Sequence, residues 1–483
     1  MATNYWIGKK DMTALTHLMK RIYLIGIGGT GMGAFAGLLK KAGFVVQGSD
    51  THLYPPMSVK LKEWGIEVKT PYAKENLHET PDLVIVGNVA SKDNVEAVFA
   101  SDNHLAFTSF PQALSQLFLN KRKSVVVAGT HGKTTTSALI AYTLDHAGLD
   151  PSFLIGGILQ NFGESFQLSQ KADGFFVVEG DEYDTAYFDK GPKFLHYQPL
   201  FLLCTSLEYD HADIYQNVEQ IEERFTELMA LVPAEGQIVL HASSPHLDKA
   251  REKSELQAPV FSYGPDGDYT AQNCMENETG CQFEVNFKGQ ILGSLSLQLS
   301  GQHSIDNALG AYALLLSMGL AHQEIADGFA AFKGVKRRME EIGEEKGVLV
   351  VDDFAHHPSA VATTLQGAKK RYAGRKVWAL FEPRSASSCR KVFFEAYGKS
   401  FYAADRVFLA PAGRELAKDT MLDVPQLAKD ISAQGVPATA FNSLDALLQT
   451  VVAEVPSQTV LLCMSNGSFG NIHTKLLEAL KNK

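Results

Sequence analysis

Short apolar runs rich in β-branched residues alternate along this chain with amphipathic stretches, the pattern of strands joined by crossover helices. The first cycle predicts a strand over Ile22–Ile27, a helix near Met32–Ala42, and strands over Phe44–Gln47 and Asp82–Gly87. A second begins at Ser124–Ala128 and continues through strands at Phe175–Val178 and Leu200–Thr205, a β-like tract around Gln282–Leu299 and a helix after Asn307. From about Gly347 a third runs through strand Val348–Val351, a helix near Ser359–Lys370, strands Val377–Phe381, Arg406–Leu409 and Thr459–Met464, and a last helix. This alternation predicts an α/β protein with parallel sheets. A length of 483 residues suits several domains. The pattern divides it into three consecutive ones, 1–121, 122–334 and 335–483, with residues 1–18 a candidate extension outside the fold.

Composition narrows the class. A hydrophobic share of 45% and a charged share of 20% belong to a globular chain able to bury a large core. The net charge of -10 leaves no broad basic surface, which argues against nucleic acid or an anionic membrane as the main partner. The cysteines Cys204, Cys274, Cys281, Cys389 and Cys463 are widely spaced with no CxxC pair, so they read as reduced thiols rather than a disulfide framework or zinc cluster. Lys9, Lys10, Asp11 and His17 interrupt the first apolar positions, so no secretory h-region forms. No run approaches the roughly 20 apolar residues of a membrane span. A cytoplasmic protein is expected.

The sharpest chemical signal follows Ser124–Ala128, where the strand runs into Gly129-Thr130-His131-Gly132-Lys133-Thr134-Thr135-Thr136 and then a helix. Glycines let the backbone curl so that successive N–H groups face phosphate oxygens, and the helix N-terminus adds positive potential. Lys133 can reach the outer phosphates and Thr134 can hold Mg²⁺. The first half departs from the common P-loop, with Val127 where a glycine is usual. The alternative is a simple glycine-rich turn.

Strand Phe175–Val178 ends in Glu179-Gly180-Asp181-Glu182-Tyr183-Asp184. Ligands sit at that edge of an α/β sheet, so Glu179 is the natural Mg²⁺ partner of Thr134. The bland alternative is a solvated acidic loop. The next strand ends in Ser206-Leu207-Glu208-Tyr209-Asp210-His211, which brings His211 to the same edge as a ligand for a second cation.

At the start of the chain, Gly26-Ile27-Gly28-Gly29-Thr30-Gly31 follows a strand and opens a helix, and Ser49-Asp50 ends the next strand. This matches a nicotinamide dinucleotide fingerprint. Its physics, however, requires only a diphosphate at a helix N-terminus and a ribose-binding acid, and a UDP-sugar meets both demands. The motif alone does not choose; a downstream ATP site makes the UDP-sugar the more economical of the two. Two further elements flank the third cycle, the basic tract Gly334-Val335-Lys336-Arg337-Arg338-Met339-Glu340 and Asp352-Asp353-Phe354-Ala355-His356-His357-Pro358. Read as composition they are a solvated linker and a turn.

Taken in order, the phosphate loop, the Glu179 and His211 segments, Arg337–Glu340 and Asp352–Pro358 resemble the Mur ligases over nearly the whole chain. The resemblance implies an N-terminal Rossmann-like UDP-binding domain, a central P-loop ATPase-like domain and a C-terminal Rossmann-like domain. It also implies an ATP- and Mg²⁺-dependent ligase of cell-wall assembly. Gly26, Gly28, Gly29, Thr30, Gly31, Ser49 and Asp50 would hold the UDP-sugar. ATP would lie on Gly129, Thr130, His131, Gly132, Lys133, Thr134 and Thr135, with His303, Asn307, Arg338 and Asp353. Metal would be held by Thr134, Glu179 and His211, while Lys133, Glu179, His211 and Arg338 would be catalytic and His356 and Arg384 would meet the peptide.

Tyr54-Pro55-Pro56-Met57, Phe381-Glu382-Pro383-Arg384-Ser385 and Ser465-Asn466-Gly467-Ser468-Phe469-Gly470 are similar to the branch that joins L-Ala-γ-D-Glu-meso-diaminopimelate to UDP-N-acetylmuramate through an acyl phosphate, in peptide recycling. Closure of the last domain would shield that intermediate from water. The alternatives are the branch that adds L-alanine and, from another class, a nicotinamide-dependent oxidoreductase. Three departures from the family pattern stand out: Ser206 and Ser304 replace asparagines, and the Glu222–Glu227 stretch has no lysine of the kind that some branches carbamylate.

Overall fold

The computed structural model describes residues 19–53, 57–277, 279–414, 416–417 and 419–483. The candidate extension 1–18 and the Tyr54-Pro55-Pro56 segment lie outside the described residues. The chain divides into two compact units. One comprises the described residues of Met1–Glu208 with Val218–Thr270 and Leu309–Gly328; the other comprises those of Tyr209–Asn217, Ala271–Ala308 and Phe329–Lys483.

In the first unit, β1 (Arg21–Ile25), β2 (Val45–Ser49), β3 (Glu67–Lys69), β4 (Leu83–Val86) and β5 (Phe107–Ser109) form a parallel sheet in the order β3-β2-β1-β4-β5. Strands covered on both faces must be apolar throughout. Leu24, Ile25, Leu83 and Ile85 are accordingly fully buried. The order reverses between β1 and β4, a switch point of the kind that opens a ligand crevice at the carboxyl ends. β1 stops at Ile25, short of the expected Ile27, because Gly26 takes a φ of 84° and turns the chain towards helix α1 (Thr30–Lys41).

A second sheet of this unit is built from β6 (Lys123–Ala128), β7 (Ser152–Leu154), β8 (Phe166–Gln167), β9 (Phe175–Gly180), β12 (Phe201–Cys204), β13 (Gln237–His241) and β14 (Val260–Tyr263). They run β14-β13-β12-β6-β9-β7-β8, and the small hairpin β10 (Asp184–Ala186) with β11 (Asp189–Pro192) follows β9. β6 lies centrally, with Ala128 level with both Gly180 of β9 and Cys204 of β12. Three segments distant in sequence therefore emerge side by side at one edge.

The two sheets pack as one body. The Trp64 and Phe166 rings meet edge to face at 5.1 Å, and Lys60 Nζ lies 3.0 Å from Glu164. The hairpin carries Tyr187 and Phe188 onto the apolar cluster of Tyr23, Ile25, Val84 and Val86. Asp189 accepts from Ser109 Oγ at 3.0 Å and pairs with His196 at 3.1 Å.

In the second unit, β16 (Gly280–Phe287) and β17 (Gln290–Leu297) form an antiparallel hairpin, and β15 (Tyr269–Asn277) neighbours β16. The tract expected around Gln282–Leu299 is this hairpin. The helix expected after Asn307 starts earlier, spanning Gln302–Ser317. Gly301 turns the chain at a φ of 96° and its carbonyl accepts from Ser304 N at 2.9 Å, so helical bonding begins there and takes in His303 and Asn307. The last sheet runs β18-β19-β23-β20-β21-β22 through β18 (Glu340–Glu345), β19 (Val348–Asp353), β20 (Lys376–Phe381), β21 (Arg406–Leu409), β22 (Ala438–Ala440) and β23 (Thr459–Met464). All are parallel except β18. Asp353, Phe381 and Met464 stand level at its carboxyl edge. Among the described residues no helix is long and apolar enough to cross a membrane.

The Glu222–Glu227 stretch lies on the helix Val218–Ala230, and Glu222 is 1% exposed there. Its carboxylate meets His246 Nδ1 at 2.7 Å, Lys253 Nζ at 3.3 Å and Lys249 Nζ at 3.5 Å, all from the helix Pro245–Lys253. Burial works against this charge, but His246 and the lysines overcome it and hold the carboxyl below its ordinary value of 4.5. A depressed carboxyl contributes stability above the unfolded value and loses it as pH falls through the folded one. Glu222→Gln is therefore expected to lower the thermal midpoint at pH 7, at a cost of about 1–3 kcal/mol. The gap from the wild type should shrink as the buffer is taken below pH 4.5. An equal gap at pH 7 and at pH 3 would contradict this account.

Candidate functional site

The loop after β6 is held in shape from β12. Thr130 N donates to Ser206 O at 3.0 Å and His131 N to Ser206 Oγ at 3.1 Å, while Thr205 Oγ1 donates to His131 O. Gly129 has a φ of 134°, and a methyl group there would overlap Thr205 Oγ1. Gly132 is left-handed at the start of the helix Lys133–His146. The first N–H groups of a helix have no partner within it, so this terminus presents donors to an anion. Lys133 Nζ donates to Gly129 O at 2.6 Å and to Glu182 at 2.8 Å, with Glu182 only 3% exposed.

Beside it, Glu179 Oε2 accepts from Thr134 Oγ1 at 2.9 Å, and its other oxygen accepts from Gly156 N. Burial, reinforced by Asp181, raises the Glu179 carboxyl above its ordinary value. Asp181 is the reverse case: burial opposes its charge, but Lys193 and Lys133 prevail and lower it. Lys193 Nζ lies 3.1 Å from Asp181 and 4.0 Å from the centre of the Tyr183 ring. Lys133 is also buried, which disfavours its charge, yet Glu182 and Asp181 more than compensate and raise its value. The charged forms thus lock one another. Thr134 and Glu179 together offer two hard oxygens next to the phosphate loop, a donor set that suits Mg²⁺. Thr135 lies in the helix's first turn.

The first-sheet loop has its own lock. Gly26 N and Ile27 N donate to Ser49 O at 2.9 and 3.1 Å, and Gly28 N donates to Asp50 Oδ2 at 2.8 Å. Gly29 precedes helix α1 as its cap, and Thr30 and Gly31 form the first turn. Below the loop, the fully buried Glu96 accepts from Ser49 Oγ, from Asn76 Nδ2 at 2.7 Å and from Ala73 N at 3.1 Å. All seven sequence-selected residues of this motif meet here.

The remaining selected residues belong to the second unit. His211 takes a φ of 51° and its N–H donates to Asp210 Oδ1 at 2.6 Å. Asp210 is buried, which opposes ionisation, but His211, His357 and His356 bring its carboxyl well below the usual range. Burial pushes His356 down to about 4. His303 is buried and lowered for the same reason, and its Nδ1 has no hydrogen-bond partner among the described residues. Asn307 lies on the same helix. Asp353 accepts from Met339 N and Ala355 N, each at 2.8 Å, while Arg338 lies over the Phe354 ring at 5.0 Å. Arg384 Nη1 approaches Glu382 Oε1 at 3.4 Å, with its side chain 40% exposed.

Sequence reading passed over Glu182, Lys193 and Ser206 as local supports. Glu182 stands in what resembles a solvated acidic loop and Lys193 just after the hairpin that folds back on the strand end, which is the signal they share. Ser206, a departure from the family pattern, fastens the phosphate loop together with Thr205. Ser304 Oγ donates to Ser300 O at 2.9 Å within its own turn.

Comparison with known proteins decides the family. The Mur ligase family catalytic domain matches residues 21–122, the Mur ligase middle domain 127–315 and the Mur ligase glutamate ligase domain 337–467. The chain belongs to the Mur ligase family. This Mur ligase is 37% identical to the UDP-N-acetylmuramate–L-alanyl-γ-D-glutamyl-meso-2,6-diaminoheptandioate ligase of Haemophilus influenzae, over 96% of its own length and 100% of the relative's. It is 32% identical to the UDP-N-acetylmuramate–L-alanine ligase of Clostridium acetobutylicum, over 93% and 96%. Among solved structures, a murein peptide ligase from Psychrobacter arcticus superposes with a TM-score of 0.75 at 33% identity, covering 96% of this chain and 99% of that one. The protein is therefore an ATP-dependent, amide-bond-forming ligase.

The locked charges carry a direct expectation. Lys133→Ala should fold yet lose turnover by about 100-fold or more, as loss of a preorganised transition-state contact does. Glu179→Gln should show a comparable loss, partly restored by raised Mg²⁺. Phosphate release and thermal melting read both; a folded Lys133→Ala variant keeping more than about a tenth of wild-type turnover would remove the lysine from the chemistry.

Proposed function

We propose that this Mur ligase joins L-alanyl-γ-D-glutamyl-meso-diaminopimelate to the lactyl carboxylate of UDP-N-acetylmuramate, in the reuse of released cell-wall peptides. The observation that carries the reading is 37% identity along 96% of the chain to a ligase named for that reaction, against 32% to one that takes L-alanine. The partly exposed side chain of Arg384 supports it, because a tripeptide brings carboxylates that need paired cations or donors.

The first-sheet loop takes the diphosphate of the sugar nucleotide, where Gly28 and the N-terminus of α1 offer backbone N–H groups and Asp50 keeps the loop closed. The Gly129–Thr136 loop takes ATP. Mg²⁺ held by Thr134 and Glu179 would neutralise phosphate charge. Lys133, kept charged by Glu182 and Asp181, offers its ammonium to the transferring phosphoryl group. The sugar's carboxylate oxygen attacks the γ-phosphorus and ADP leaves. The peptide amine then attacks the carbonyl carbon of the acyl phosphate, and inorganic phosphate departs as the amide forms. His303, whose buried Nδ1 lacks a partner among the described residues, is available to a nucleotide base.

Phosphate release in the presence of ATP and UDP-N-acetylmuramate tests the reading. The tripeptide should support a kcat/KM at least about tenfold above that of L-alanine, the size of effect expected from one charge-assisted contact. Arg384→Ala should raise the tripeptide KM and leave the ATP KM unchanged. Robust turnover with L-alanine and none with the tripeptide would replace the proposal by the alanine-adding activity.

A further inference from the structure

Two segments far apart in sequence, Phe381–Ser385 and Ser465–Gly470, build one wall in the second unit. Glu382 N donates to Met464 O at 3.1 Å, and the Glu382 carboxylate, 4% exposed, accepts from Ser465 Oγ. Gly467 N donates to Ser465 Oγ at 2.9 Å. Arg337 fixes the same turn from behind, donating to the carbonyls of Ser465 and Gly467 while its Nε meets Asp352 at 3.1 Å.

Arg384 threads between two glycines of this wall. A methyl group at Gly413 would lie 3.0 Å from Arg384 Cγ and 3.5 Å from Glu382 Oε1. One at Gly467 would overlap Arg384 Cδ and Nε and lie 2.9 Å from Cζ. The backbone at both positions is tied down, Gly413 N donating to Pro383 O at 2.7 Å, so the wall does not retreat. Gly467 does not take a positive φ, so an alanine there meets no backbone penalty and acts only through its methyl group. A guanidinium has five N–H donors. Among the described residues its one polar contact, to Glu382 at 3.4 Å, orients the fork and leaves donors for a bidentate carboxylate.

We propose that Gly467, with Gly413 and Glu382, forms a seat that aims Arg384 at a carboxylate of the incoming peptide, which makes Gly467 a specificity-determining position. The inference rests on the tripeptide reading above. Gly467→Ala pushes the guanidinium off its seat, so the tripeptide KM rises by about ten- to hundred-fold, the worth of a charge-assisted pair, while the KM values for ATP and UDP-N-acetylmuramate stay put.

A double-mutant cycle separates this from a general disturbance. In an Arg384→Ala background Gly467→Ala adds no further rise, because the side chain it displaces is gone. A wild-type tripeptide KM in Gly467→Ala, or the same fold-rise in both backgrounds, overturns the seat while the tripeptide activity of the wild type still stands. A wild type that ligates L-alanine and not the tripeptide removes the reading and the seat together. Should Gly467→Ala fail to fold by thermal melting, Glu382→Gln decides: a tripeptide KM rise that vanishes in the Arg384→Ala background supports the seat, and no rise, or one that persists there, overturns it.

Discussion

The carboxyl end of β9 gathers Glu179, Asp181 and Glu182, answered among the described residues by Lys133 and Lys193, all largely removed from water. Isolated charges in such a place would neutralise or unfold the loop, because desolvation costs several kcal/mol per ion. They persist because each is paired: Lys133 with Glu182, Lys193 with Asp181, and Glu179 with Thr134 and Gly156 N. Position of the phosphate loop, readiness of Glu179 for a cation and the fold of the β10–β11 hairpin all hang on this balance. The excess of one carboxylate is what a bound cation would complete; burial, with Asp181 adding to it, accounts for the raised Glu179 carboxyl.

The hairpin that leads into Lys193 also reaches the first sheet through Tyr187, Phe188 and Asp189. Organisation of the phosphate loop and packing of the two sheets are thus parts of one arrangement. Asp189 serves Ser109 on one side and His196 on the other, so the hairpin is fastened at both ends.

Much of this was legible in the chain. Central strands such as Lys123–Ala128 and Thr459–Met464 hold the apolar runs Val125–Ala128 and Val460–Met464, and glycine-rich loops at strand ends mark turns that can face a ligand. Periodicity was silent where charges were paired over long separations: Ser109 and Asp189 are 80 positions apart, and Lys133 and Glu182 are 49. An acidic run looks the same whether it faces water or buried lysines. The start of the helix at Gln302 was missed because the turn at Gly301, rather than an apolar stripe, sets it. Gly413 carries no mark in the sequence and Gly467 only its place in the Ser465–Gly470 segment; the path of the Arg384 side chain reveals why a methyl group is excluded at both.

Neither compact unit is a continuous stretch of chain. The first closes only with Leu309–Gly328, and the second takes in Tyr209–Asn217 long before Phe329–Lys483 is made. On the ribosome, the segment bearing His211 leaves the exit tunnel before Ala271–Ala308 and Phe329–Lys483 of its own unit are made. Early folding of the first unit and late capture of that segment make synthesis of the C-terminal sheet the step that completes the second unit. A nascent chain stalled before Phe329 carries the phosphate loop and the glycine-rich loop of β1 without Arg338, Asp353 or Arg384.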